Sequence, residues 1–175
     1  MSARTFFIDR PVNMIDEGID VAVRIGHQPD SGLTAIKIGS VRRVMCGAPF
    51  HFAKHDVPTT PAELKDHRIA GSTGAWASSD WRFGQDQRVT IHPALQANTN
   101  EAVIEAAIAG RGLTRVLHYQ IGLALPSGAP QIALGDYEEE ALPIPMLHPE
   151  GSRAPANVRA FDLAVARLRG NRLLN

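Results

Sequence analysis

The sequence predicts an α/β protein built as two Rossmann-like lobes joined by a hinge. Three observations carry this. Short strand-patterned segments alternate with helix-patterned ones along the chain, as layered α/β folds require. Two long extended runs, residues 33–47 and 142–149, lie near one third and five sixths of the length, where a chain would cross between lobes. The composition is that of an ordinary globular protein: 175 residues, 44% hydrophobic and 21% charged, enough to bury a core and too balanced for disorder. The crossings assign residues 1–47 plus 146–175 to a first lobe and residues 48–145 to a second, with mostly parallel sheets expected.

Each element follows from local pattern. Residues 5–8 are apolar and β-prone, and Pro11 then opens a short segment in which Met14 and Ile15 are positioned to face a core until Gly18 stops it. Residues 20–25 alternate Val21, Val23 and Ile25 with Ala22 and Arg24, a strand pattern closed by Gly26. Residues 33–47 form a β-rich run interrupted only at Gly39 and Ser40, and residues 51–55, after Pro49, read as a short helix. Thr60, Pro61 and Glu63 mark another helix start, with Thr60 as the cap. A strand at residues 68–70 runs into a loop of Gly71, Ser72, Thr73 and Gly74, and residues 76–99 read as loop and antiparallel strands with Asp86 in the turn.

The clearest helix opens at Asn98. Val103, Ile104, Ala107 and Ile108 form one apolar stripe, Gly110 or Gly112 ends it, and Asn98 with Glu101 three residues on resembles a capping box. Beyond it come a strand at residues 112–117, a short helix at 118–125 and a strand at 131–134. Residues 142–147 are extended because two prolines forbid a helix, and a last helix is expected at 157–169.

Composition excludes several functions. Eighteen basic residues balance eighteen acidic ones, which does not suit a self-sufficient nucleic-acid binder. The single cysteine, Cys46, rules out an intrachain disulfide framework and reads as a small buried apolar residue. With no apolar run of about 18 residues and no signal-peptide pattern, a soluble cytoplasmic protein without a membrane partner is expected.

Site motifs are few. His51 and His55 are spaced to share a helical face, but no third ligand or general base accompanies them, so a solvated short helix is the expectation and no metal site is assigned. Ser72, Ser78 and Ser79 with His67, His92 and Asp80 supply hydrolase residue types, but GSTGAW is not a nucleophile elbow and no catalytic residue is assigned. Gly110, Arg111 and Gly112 lack the rest of a dinucleotide fingerprint, and no cofactor is expected. Glu138 to Glu140 read as a solvated turn, and Arg42 and Arg43, in an alternating strand, point to opposite faces, so at most one of them faces a cleft.

Several strings in one order carry a resemblance. VNMIDEGIDVAVRIG, RRVMCGAP, TPAELKDH, NTNEAVIEAAIAGRGLTRV and VRAFDLAVARL together look like the effector-binding region of LysR-type transcriptional regulators over nearly the whole chain. The resemblance implies a type 2 periplasmic-binding-protein fold, no enzymatic activity, and a small effector held between the lobes that shifts how paired subunits hold DNA. The resemblance also implies that family members begin with a winged helix-turn-helix, a linker helix and the first strand and helix of the sensing domain, and these are expected to be missing ahead of Met1. The first lobe is therefore expected to lack its first strand-helix unit, leaving the edges at residues 6–8 and 21–25 unprotected, and DNA binding is expected only through a domain missing here. A homo-oligomer is expected. The start of the helix near Asn98 is expected to hold an anionic effector, such as a carboxylate, with Asn98, Thr99 and Asn100, helped by Ser72 and Thr73. Thr114 and Arg24 complete the candidate effector-binding set. The alternative function is a periplasmic-type solute-binding protein of a transport system.

Overall fold

In the computed structural model, residues 4–8, 12–28, 32–74, 77–84, 86–122 and 130–149 are described. The first sheet is built by the two long extended runs. Strand β2 (Leu33–Val41) lies antiparallel to β10 (Leu142–Pro149), and a short β1 (Ala22–Val23) flanks β10 on its other side. The pairing extends from Leu33 opposite Pro149 to Val41 opposite Leu142, with a register shift at Ile144 and Pro145. Proline has no N–H to give a ladder, so bulges are where it is tolerated. Its carbonyl still serves: Pro145 and Pro143 accept from the amides of Arg24 and Gly26.

Strand β3 (Arg43–Gly47) is the centre of a second sheet, between β8 (Thr114–Leu117) and β9 (Gln131–Ala133), antiparallel to both. Its near-continuous apolar run has a physical cause, because both of its faces are covered. Val44 and Cys46 pack with Val103 and Ile104 of α2 (Asn100–Ile108), while Met45 joins Phe52, Leu64, Trp81, Phe83 and Leu113 opposite. Strand β4 (Ala70–Ser72) runs parallel to β7 (Leu95–Ala97), and a parallel bridge between Ile69 and Leu113 sets β4 beside β8. Strands β5 (Asp80–Arg82) and β6 (Arg88–Thr90) form a hairpin with Asp86 in its turn at positive φ.

Helix α1 (Pro49–His55) follows β3, and a 3-10 helix spans Pro61–Asp66. Thr60 makes no side-chain cap there; instead the Glu63 carboxylate accepts from the Thr59 amide and from the Thr59 and Thr60 hydroxyls. Helix α2 buries Val103, Ile104 and Ala107, each contributing roughly 1–3 kcal/mol in proportion to its apolar area. Gly110 ends it at φ 66°, the Arg111 amide reaching Ala106 O and the Gly110 amide Ala107 O, a Schellman closure. A short α3 (His118–Ile121) follows β8.

Several expectations are corrected. Among the described residues only one strand pair, β4 with β7, is parallel, because the chain leaves along β2 and β3 and later segments return against them. Thr99, not Asn98, caps α2, its hydroxyl accepting from the Ala102 amide at 3.3 Å, so Asn98 and Glu101 form no capping box. The interruption of residues 33–47 falls at Arg42, since Gly39 and Ser40 pair normally with Ile144 and Pro143. Residues 5–8 form no strand, and Phe6 and Phe7 stand exposed, so burial does not fix them. The edge at residues 21–25 is partly covered, as Ala22 and Val23 pair with Leu147 and Met146 of β10. The helix expected at 157–169 lies outside the described residues.

Candidate functional site

A cavity of about 650 Å³ opens where β4, the β5–β6 hairpin, the start of α2 and the junction of β8 with β3 converge. Ser72 ends β4 on its wall, its hydroxyl accepting from the Gly74 amide at 3.2 Å. Thr73 follows, tied to β7 through its amide and hydroxyl, both donated to Ala97 O. Asn100, first residue of α2, also lines the cavity and donates through Nδ2 to Gln120 Oε1 at 3.4 Å. That oxygen accepts as well from the Leu117 amide, so α3 holds the Asn100 side chain in place. The Thr99 cap uses the Ala102 amide and leaves those of Asn100 and Glu101 with no acceptor inside the helix.

The cavity thus brings together Ser72, Thr73 and Asn100. The other four candidate residues are not among its lining. Asn98 and Thr99 are exposed just before the helix, Thr99 being committed to its cap. Thr114 is 1% exposed and pairs with Cys46 inside the second sheet. Arg24 donates to Val12 O at 2.6 Å and to Gln28 Oε1 beside β1.

Opposite the polar wall lie residues that sequence patterns did not select. Arg115 of β8 has a side chain only 6% exposed, lies 4.9 Å from the Phe83 ring centroid and 5.9 Å from that of Trp81, and donates to Arg82 O. Its Nη2 meets Glu139 Oε2 at 2.6 Å, and Nη1 of Arg43 meets the same oxygen at 3.1 Å. Burial holds the Arg115 pKa down to about 10, the nearby charge of Arg43 acting in the same direction and Glu139 opposing both. Beside them Arg42 pairs with Glu138 at 2.8 Å. The acidic run at 138–140 is therefore not a merely solvated turn: two of its carboxylates are held by arginines of the β2–β3 junction. Of the two arginines, Arg43 alone lines the cavity, whose walls carry Arg43, Arg82 and Arg115 against Asp80 and Glu139, a surplus of one positive charge.

The remaining motifs resolve into packing. His51 is buried rather than solvated, its ring 4.8 Å from that of His55 and 5.8 Å from that of His67, with Nδ1 against Gly110 O. Among the described residues no group of three or more acidic, histidine or cysteine side chains is arranged to hold a metal ion. The Ser78 hydroxyl bonds the backbone of Asp80, and the Asp80 carboxylate accepts from the Thr90 hydroxyl at 2.7 Å. No helix among the described residues is long and apolar enough to cross a membrane.

The mixed α/β fold, with its polar cavity walled by strand ends and a helix start, is of the type 2 periplasmic-binding-protein kind. The LysR substrate binding domain family matches residues 4–168, and the chain belongs to that family. An uncharacterized HTH-type transcriptional regulator of Haemophilus influenzae is 28% identical over 160 residues, covering 90% of this chain and 56% of the relative. The regulatory domain of AphB from Vibrio vulnificus is 27% identical with TM-score 0.72, covering 86% of this chain and 75% of that one. The full-length virulence activator AphB of Vibrio cholerae, a member of the LTTR protein family, is 26% identical with TM-score 0.75, covering 90% of this chain and 54% of that one. The chain spans about half the length of the curated relatives it matches.

Proposed function

We propose that this chain is the effector-sensing module of a LysR-type transcriptional regulator and that its effector is a small carboxylate. The observation that carries the reading is the cavity where Ser72, Thr73 and Asn100 face a surplus positive charge at the start of α2. First-turn amides and the helix dipole favour an anion there, and the neutral hydroxyl and amide groups orient it. Residues 1–47 with 146–175 act as one lobe and 48–145 as the other. An effector touching both favours one lobe arrangement through differential affinity and biases a homo-oligomer, with DNA held by a helix-turn-helix region of the regulator.

Calorimetry with acetate, benzoate and succinate tests the site. Binding of at least one of them is expected, weakened about tenfold or more by Asn100→Ala combined with Ser72→Ala, the loss of roughly 1.4 kcal/mol. Carboxylate binding that survives both substitutions would move the site elsewhere.

A further inference from the structure

Resting on the carboxylate reading above, we propose that Glu139 is a built-in competitor for the effector: the incoming carboxylate takes its place on Arg43 and Arg115, and this exchange reports occupancy. Both guanidinium groups already converge on one carboxylate oxygen in the cavity wall, at 3.1 and 2.6 Å. What they hold is therefore the chemical group that an effector would present. The planar guanidinium fork suits a carboxylate better than a point charge does.

The three partners differ in freedom. Arg115 is fixed by the Phe83 and Trp81 rings and by Arg82 O. Glu139 and Arg43 are 28% and 26% exposed, so the Glu139 side chain has a route to water. Exchange is also favoured over addition. A second carboxylate beside Glu139 would set two like charges within a few ångströms. Removing Glu139 with nothing in its place would leave the buried Arg115 charge without its carboxylate, a costly state. Replacing one carboxylate by another avoids both, and the released Glu139 recovers its hydration.

The exchange has a mechanical consequence. Glu139 lies between the 3-10 turn at Gly135–Tyr137 and β10, while Arg43 opens β3, separated from β2 by Arg42 alone. The pairs of Arg43 with Glu139 and of Arg42 with Glu138 thus tie together the two runs that enter and leave the first sheet. An effector that takes Arg43 from Glu139 unties one of the two links, and the same carboxylate that binds alters how the runs are held.

The test uses the 175-residue chain with acetate, benzoate and succinate at fixed ionic strength, followed by calorimetry and tryptophan fluorescence. Glu139→Gln removes the competing charge and keeps the size. It is expected to bind the best of these carboxylates about tenfold more tightly than the parent, and its melting midpoint is expected to rise more steeply with added carboxylate. Arg43→Gln is expected to weaken binding at least tenfold. Unchanged or weaker binding in Glu139→Gln overturns the proposal, as does failure of every probe to bind both parent and variant. If Glu139→Gln does not fold, Arg43→Lys decides: it keeps the charge and loses the fork, and binding as tight as the parent's overturns the proposal. Asn100→Ala separates the two levels. Weakening there with no gain in Glu139→Gln leaves the site reading intact and removes the exchange, whereas a gain in Glu139→Gln with Asn100→Ala silent supports the exchange and removes the proposed polar wall.

Discussion

Gly112 joins the end of α2 to β8, and its replacement by alanine tests how rigidly the cavity wall is anchored. Its φ is +156°, and a Cβ built there sits 2.6 Å from Arg68 O and 2.9 Å from Arg68 C, distances that side-chain carbons do not tolerate. The obstacle is backbone that cannot easily withdraw. Arg68 O accepts from the Leu113 amide at 2.7 Å and Leu113 O accepts from the Ala70 amide at 2.8 Å, the bonds that set β4, and with it Ser72, beside β8. Overpacking costs about 1–3 kcal/mol and an unfavourable backbone region about 1–3 kcal/mol. Allowing for partial relaxation, Gly112→Ala is expected to lose about 3 kcal/mol, which for a chain of this size lowers the melting midpoint by roughly 6–12 °C. Urea and thermal unfolding followed by circular dichroism measure it. Gly135→Ala is the control, because nothing lies within 4 Å of a Cβ there and its φ is not left-handed, so a change within about 1 kcal/mol is expected. A Gly112→Ala variant within about 0.5 kcal/mol of the parent would refute the reasoning.

Two further outcomes follow from titratable groups that full or partial burial shifts. The pKa values of His51 and His67 are both lowered from 6.5, chiefly by burial; for His51 the hydrogen bond to Gly110 O opposes this and the charges of His55, His67 and Arg68 add to it, and for His67 the charge of His55 adds to it, opposed by Asp66, Glu63 and Asp56. The unfolded chain therefore takes up protons first, so stability is full above the ordinary value of 6.5 and is lost as pH falls from there through the lower folded values. Urea midpoints between about pH 8 and pH 5 should show this, with a shallower slope in His51→Leu; equal slopes in the two proteins would contradict the assignment. Burial also pushes the Cys46 thiol up to about 12, so a thiol reagent at neutral pH should label it only as fast as the protein opens. Complete labelling within seconds under native conditions would show that Cys46 is accessible.

The sequence by itself determined the elements whose patterns are local. Helix α2 was legible because its stripe repeats within one turn and Gly110 supplies a left-handed stop. Strand β3 and the proline-rich β10 were legible for the same reason, and five ordered strings sufficed for the family. Ser72, Thr73 and Asn100, selected from the family resemblance and from their places at a strand end and a helix start, line one cavity, while Asn98, Thr99, Thr114 and Arg24, selected with them, do not. Only the tertiary structure decided the rest. Strand direction depends on which segments return beside β2 and β3, and the burial of His51 depends on what packs over α1. Arg43 and Glu139 are 96 residues apart, and Arg115 and Glu139 are 24 apart. No local periodicity encodes such pairs, because each charge looks like any solvated charge until folding brings its partner within hydrogen-bond reach and removes the water from between them.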